Sequence, residues 1–270
     1  MAAAINTWLG STSAVPTVVA NWSQARLPEA GDFILFDGTA SGACDGADLS
    51  AAQVASITIT RDCTIDIGTS ITAPLIFDCA GPIIDEGTGA VFLKADNTTS
   101  WLLKNTGSRR ILGLDNVAIV VDSPGATIVL GPDPQTATEF DTVTVLNGDA
   151  AIKNLLAQDG AAAFNLFMTG GEVECFDSVD DAKIVGGKYT QRSEGINNLW
   201  LRDATLNYNS TTKIDGTAIL ENAAVLDASG SSGFTIDATT MYPESKIIDP
   251  LGVITYTAAI TFEGQSVTVE

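Results

Sequence analysis

Any chemistry on this chain would have to come from carboxylates. Asp177, Asp180 and Asp181 form the densest acidic cluster, with Lys183 and Arg192 close by in sequence, and Asp45 and Asp48 make a sparser group in an Asp-Gly-Ala-Asp loop. Two carboxyl groups about 5–9.5 Å apart can hydrolyse a glycosidic bond, and the same oxygens can hold Ca²⁺. The competing reading is a solvated turn, where aspartate is favoured because its side chain hydrogen-bonds nearby backbone. With 33 acidic residues in the chain, such clusters arise without any function, and the turn is the expected reading for both groups. Trp101 and Trp200 would stack on sugars if exposed, but each lies in an alternating apolar–polar run that suits core or inter-subunit packing. Gly170-Gly171 and Gly186-Gly187 are not phosphate loops, because neither a helix nor Lys-Ser/Thr follows them. No catalytic, metal or cofactor-binding residue is assigned, and no cofactor is expected.

Composition narrows the chemistry further. The chain of 270 residues has no histidine, which removes Ser-His-Asp and Cys-His triads, His-ligated zinc and imidazole acid–base catalysis. With 13 basic and 33 acidic side chains the formal charge is −20, and Arg109-Arg110 is the one adjacent basic pair, so nucleic acid is not an expected partner. Cys44, Cys63, Cys79 and Cys175 contain no C-x-x-C and are too scattered for a disulfide framework. They read as buried small hydrophobes, with a Cys63–Cys79 disulfide as the alternative. Asn21-Trp-Ser, Asn97-Thr-Thr and Asn209-Ser-Thr match the glycosylation sequon and read as chance matches in a Ser/Thr-rich chain. The first 25 residues carry no side-chain charge, yet they lack a basic n-region, and Asn6, Thr7, Ser11, Thr12 and Ser13 interrupt any apolar core of a signal peptide. The longest apolar runs, Met1–Ile5 and Val117–Val121, fall far short of the roughly 20 residues a bilayer helix needs. A soluble protein without a Sec-type signal, and without a membrane partner, is expected.

The elements that would position these residues are short strands. Ser56–Thr60, Thr64–Ile67, Asp141–Val145 and Asn198–Arg202 alternate apolar and polar residues and are rich in β-branched side chains. Gly, Asn, Asp, Ser and Pro punctuate them too often for long helices; the best helical candidates, Leu49–Ala55 and Ala150–Gln158, are short. A recurring unit, apolar-x-x-small-x-apolar, starts at Met168, Ile184, Leu201, Leu220 and Ile236, so that successive starts are nearly evenly spaced. Such a period is the signature of a solenoid, in which each coil cannot bury its apolar side alone and stacks on its neighbours at about 4.8 Å. The small fourth position suits a corner where the chain bends inward. The interval from Cys63 to Cys79 equals that from Met168 to Ile184 and fits one coil of the same length. A two-sheet sandwich is the alternative. At about 17 residues per coil, the span from Val54 to Met241 holds roughly 11 turns.

The fold class expected is therefore all-β, a parallel β-helix, with residues 1–53 as an N-terminal cap, 54–249 as the solenoid, and 250–270 as a C-terminal β cap or oligomerisation segment. Trp8-x-Gly10, Asn21-Trp22-Ser23, Pro28, Gly31-Asp32 and the strand Phe33–Phe36 resemble the N-terminal segment of right-handed parallel β-helix proteins. Such segments occur in virion proteins of tailed bacteriophages and in bacterial surface adhesins. Enzymes of that class, pectin and pectate lyases and galacturonases, carry clustered Asp, Arg, Lys or His on the outer face of one sheet. The resemblance implies a fold and leaves the function open.

Three functions follow as expectations. A structural virion protein, a capsid decoration or surface protein of a bacteriophage, would be made in the host cytoplasm and would bind capsid protein and copies of itself, the resemblance implying a homotrimer. Its negative charge would keep it soluble and away from nucleic acid. A polysaccharide-binding or polysaccharide-cleaving module would use Asp177, Asp180 and Asp181, though an anionic substrate would be repelled unless Ca²⁺ bridged the two. A bacterial surface adhesin would require an export signal.

Overall fold

The computed structural model describes residues 3–70, 73–96, 100–104, 109–111, 115–130, 139–152, 164–176, 178–264 and 268–269. Among these, every long element is a strand, and the one helical piece is a single 3₁₀ turn, Val19–Asn21. Among the described residues, no helix is long and apolar enough to cross a membrane. Two compact units divide the chain, Met1–Asp141 and Thr142–Glu270.

In the first unit, Ile5–Thr7, Phe33–Phe36, Ser56–Ile59, Ile83–Asp85, Ser100–Leu103 and Asp115–Leu130 pair successively in parallel. Each strand bonds to the strand one coil later, so equivalent side chains stack in columns. Asn6, Ile34, Ile57, Ile83, Trp101 and Ile119 form one inward column, and all are buried. A second ladder joins Ala47–Val54, Leu75–Cys79 and Leu93–Asp96. Cys44, Ile67 and Val91 stack as isolated bridges at a third side of the coil. The stretch Leu49–Ala55, a helical candidate by sequence, lies mostly in the Ala47–Val54 strand, whose two ends, at Ala47–Asp48 and Gln53–Val54, pair with the next coil on either side of an irregular stretch.

The outer edge of Ile5–Thr7 is taken up by the chain crossing it. Trp8 and Trp22 form an antiparallel bridge, the Ser23 amide donates to the Thr7 carbonyl (2.9 Å), and Gln24 Nε2 donates to the Ile5 carbonyl (2.9 Å). Trp8, Trp22 and Phe36 pack edge to face beneath this crossing, with centroids 5.2 and 6.3 Å apart. Both indole N–H groups are used: Trp8 donates to Gly42 and Trp22 to Pro16. Asn21, the first residue of one sequon, is fully buried, and its amide bonds Thr12, Ser13 and Val15, so no glycan can be attached there without unfolding the segment.

The second unit repeats the scheme with shorter coils. Val145, Met168, Ile184, Leu201, Leu220 and Met241 stack as one inward column, and Val173, Tyr189, Leu206, Leu226 and Ile247 as another. The repeat expected from Met168 to Leu220 is therefore in register. Its last copy is not. Leu220 pairs with Met241, and Ile236 pairs instead with Ile214 and Tyr256. The step from Leu220 to its true partner is thus longer than any of the steps between Met168 and Leu220. Ile236 mimics the start of a copy because it also points inward, at the other end of the same strand, Phe234–Met241. An added residue at the preceding corner likewise brings Leu226, not Val225, opposite Leu206.

The corner between the two columns is where small residues are required. Gly171, Gly187, Ala204, Ala224 and Ser245 hold the position one residue before each second strand. The carbonyls of Gly171, Gly187, Ala204 and Ala224 accept in turn from the Lys188, Thr205, Val225 and Lys246 amides. Gly171 and Gly187 sit at φ 77° and 79°, and a Cβ on Gly187 would run into the Gly171 carbonyl and the Met168 methyl. At later corners the left-handed residue moves back and is no longer glycine: Asp203, Asn222 and Glu244 have φ of 50°, 54° and 67°.

All four cysteines are buried, and none forms a disulfide. Cys79 pairs with Val54, not with the coil holding Cys63, because coils in this part of the chain are longer than the Cys63–Cys79 interval, as the steps from Ile34 to Ile57 and from Ile57 to Ile83 show. That interval therefore has no structural meaning, and the long coils also make the turns fewer than evenly short coils would allow.

Backbone strain at the corners gives an opposed pair of expectations. Gly187→Ala should lower the stability of the second unit by at least about 2 kcal/mol, from the left-handed backbone and the steric conflict together. Glu244→Gly, at an exposed corner already in that conformation, should raise it by about 0.5–1 kcal/mol. Urea denaturation of both variants checks the sign of each.

Candidate functional site

The acidic cluster lies on the outward side of the strand Val179–Ile184. A register shift opposite Phe164–Leu166 inserts one extra residue, so Val179 and Ala182 both point inward and Asp180 and Asp181 both point out. The next coil repeats the irregularity, exposing Asn197 and Asn198. The stacking then dictates the contacts. Asn197 Nδ2 donates to Asp180 Oδ1 (2.7 Å), and Asn198 Nδ2 donates to Asp181 Oδ1 (2.9 Å). Asn198 Oδ1 in turn accepts from the Thr217 amide of the following coil (3.2 Å). Side-chain amides thus separate carboxylates that would otherwise lie above one another. Asp177 lies outside the described residues. Among the described residues, no group of three or more Cys, Asp or Glu is gathered as a metal site requires.

The basic residues near the cluster are engaged elsewhere. Arg192 pairs with Glu174 (2.6 Å) and Lys188 with Glu172 (2.5 Å), each across one coil. The Lys183 ammonium stands 4.3 Å from the centroid of the Trp200 ring. One face of that ring is therefore already covered, and Trp200 is half-buried between coils. Trp101 is wholly buried in the first unit, so it is a core residue and no sugar platform. A shallow hollow of about 200 Å³ beside the cluster is lined by Ser178, Gly195, Asn197, Thr212, Lys213 and Asp215, and Lys213 is ion-paired with Asp215 there. In the other acidic loop, Asp48 Oδ1 accepts from the Ser50 amide (2.9 Å) and hydroxyl (2.6 Å). These bonds, with Lys94 nearby, hold the Asp48 carboxyl below its ordinary range. Asp48 thus bonds its own chain two residues on, inside the strand Ala47–Val54 at its register break and not in the turn expected from sequence.

One strongly held carboxylate, that of Asp32, belongs to neither acidic group. Asp32 is 1% exposed and receives both guanidinium nitrogens of Arg26, at 2.5 and 2.8 Å, together with the amides of Glu29 (3.0 Å) and Ala4 (3.3 Å). The Arg26 bonds, reinforced by those amides, hold its carboxyl below the usual carboxylate range. Arg26, Glu29 and Asp32 are spaced for a tight turn, but nothing in their spacing announces that the turn is buried.

A different feature of the first unit's surface is the outer face of its main ladder. Thr7, Leu35, Thr58, Ile84, Leu102 and Val120 form one outward column, and Ile5, Phe33, Ser56, Ser100 and Ala118 belong to the column beside it. None of these side chains carries a charge. Ile5 and Phe33 are 59% and 47% exposed, and a hollow of about 490 Å³ opens among Ala3, Ile5, Phe33, Leu35, Ser56 and Thr58. One outward position further along the five strands after the first lie Asp37, Thr60, Glu86, Lys104 and Asp122, four of them charged.

No protein family, curated protein or solved structure matches the chain. The ladders themselves define its class, a parallel β-solenoid.

Two measurements check these assignments. Asn198→Ala removes the link from Asp181 to Thr217 and should cost the second unit about 0.5–1.5 kcal/mol in urea denaturation. Asp32→Ala should cost the first unit about 3 kcal/mol, the lower end for a broken buried pair, because Arg26 is 23% exposed and can turn to water. Since the folded carboxyl is held low, its contribution is full above the ordinary carboxylate pKa and is lost as pH falls from there through the folded value. Asp32→Ala should therefore flatten the acid limb of a stability–pH curve.

Proposed function

We propose that this chain is a non-enzymatic structural protein of a virion, a capsid decoration or surface protein of a bacteriophage that acts by assembly and stabilisation. The observation that carries the reading is how its outer surface is divided. On the second unit, Glu172, Glu174, Asp180 and Asp181 are tied to amides or bases of the adjacent coil. On the first, a ladder face is left without charge and with exposed apolar side chains. The first arrangement keeps an acidic column intact, and the second is what a docking surface needs. Parallel coils supply a stiff scaffold in which each added turn buries further aliphatic side chains, at roughly 1.5–3 kcal/mol for each one fully buried. Binding is then the whole mechanism: the protein rests on the capsid protein and contacts its own copies, as a trimer, while its net negative charge disfavours nucleic acid. No cofactor takes part.

A polysaccharide module is the second reading, favoured by Trp200 lying one coil after Lys183 and beside Asn198. Lys183 would have to leave the ring before a sugar could stack on that face.

In purified particles, mass spectrometry should find the protein in a fixed ratio to the major shell protein; trace amounts would count against the virion reading. On a panel of polysaccharides, with and without Ca²⁺, no cleavage is expected. Reproducible cleavage lost in Asp180→Asn would replace this reading with the second.

A further inference from the structure

The charge-free face of the first unit calls for an occupant. Its two columns run across the successive strands of the main ladder, a strip about 24 Å long at the usual spacing of paired strands. Four large aliphatic side chains, Leu35, Ile84, Leu102 and Val120, lie half-buried along one column, and Ile5 and Phe33 stand out at the head of the other. The border of Asp37, Glu86, Lys104 and Asp122 gives this apolar surface a charged edge along one side, such as lies in the polar rim of a protein–protein contact.

Charge decides which partner fits. The chain carries 33 acidic against 13 basic side chains, so two copies repel across most of their surfaces. A different protein could be recruited through complementary positive charge and would gain from acidic residues on the contact face. A second copy brings the same signs to the contact and can approach closely only where charge is missing. The residues up to Ala25 likewise carry no charged side chain, which extends the neutral region beyond the ladder.

We infer that the outer ladder face running from Ile5 and Phe33 to Leu102 and Val120 is where a second copy of this chain packs. The inference rests on the structural-protein reading and names its self-contact.

Sedimentation velocity of the purified chain tests it. The native chain is expected to form a discrete oligomer, and Phe33→Glu and Leu102→Glu each to weaken its association at least about tenfold while far-UV circular dichroism stays native. Thr58→Glu, which alters an already polar outward side chain, serves if either variant fails to fold. Ile219→Glu, outward on the second unit, should leave association unchanged. A native chain that stays monomeric, or assembly untouched by all the first-unit variants, would overturn the inference. So would dissociation caused by Phe262→Glu alone, which would move the contact to the C-terminal strands. A monomer that still co-purifies with particles would remove this contact and leave the virion reading standing; an oligomer never found with particles would do the reverse.

Discussion

Backbone hydrogen bonds between one coil and the next are the interaction on which the rest of this structure depends. In a parallel ladder each residue must sit opposite its equivalent one coil away, so a side chain's environment is set largely by that equivalent. Inward columns can then be filled only by residues that tolerate their own kind above and below. Where one column meets a corner, the carbonyl of one coil must reach the amide of the next without a side chain intervening. Gly171 and Gly187 satisfy this directly, while Ala204 and Ala224 do so because the left-handed residue has shifted to Asp203 and Asn222. The corner is thus a recurring piece of geometry carried by changing residues.

The same stacking creates an electrostatic difficulty that the sequence has to solve locally. Identical acidic residues on successive coils would lie about 4.8 Å apart, close enough for like charges to oppose pairing. With far fewer bases than acids, cations alone cannot separate them. The chain uses two devices instead. Lys188 and Arg192 answer Glu172 and Glu174, and Asn197 and Asn198 answer Asp180 and Asp181. The amide is well suited to the task, because it donates to a carboxylate on one side and accepts from a backbone amide on the other, as Asn198 does.

These two demands explain what can be read from the sequence. The repeat from Met168 to Leu220 is legible because its coils differ little in length and its corners hold Gly or Ala. Once a coil lengthens, as it does between Leu220 and Met241, inward residues at both ends of one strand become interchangeable to the eye, and Ile236 passes for Met241. In the first unit the coils are uneven, the step from Asn6 to Ile34 being much longer than that from Ile83 to Trp101. Pattern there gives strands but no pairing, and Cys63 and Cys79 suggest a coil that does not exist. Trp8 and Trp22 mark an unusual N-terminal segment, yet the Arg26–Asp32 pair within it depends on burial that spacing alone does not reveal. The acidic cluster stands out as a cluster, but its neighbours on the adjacent coil, 17 residues away, decide what it does.

A catalytic pair of carboxylates needs two different environments, one keeping a proton and one giving it up, and usually a recess that excludes water. Stacking works against that requirement on the outer face of a solenoid. Neighbouring positions experience similar surroundings because each is built from the same strand, repeated. Asp180 and Asp181 illustrate the point: each meets the amide of an asparagine 17 residues on, at nearly the same distance. A fold of this kind makes long, uniform surfaces far more readily than it makes asymmetric pockets. Extended faces, whether alternately charged and amide-bearing or free of charge, are therefore the functional vocabulary most accessible to this sequence. A protein that works through such faces has its specificity spread over many coils, so insertions that lengthen one coil without shifting the ladder are the changes it can absorb most easily.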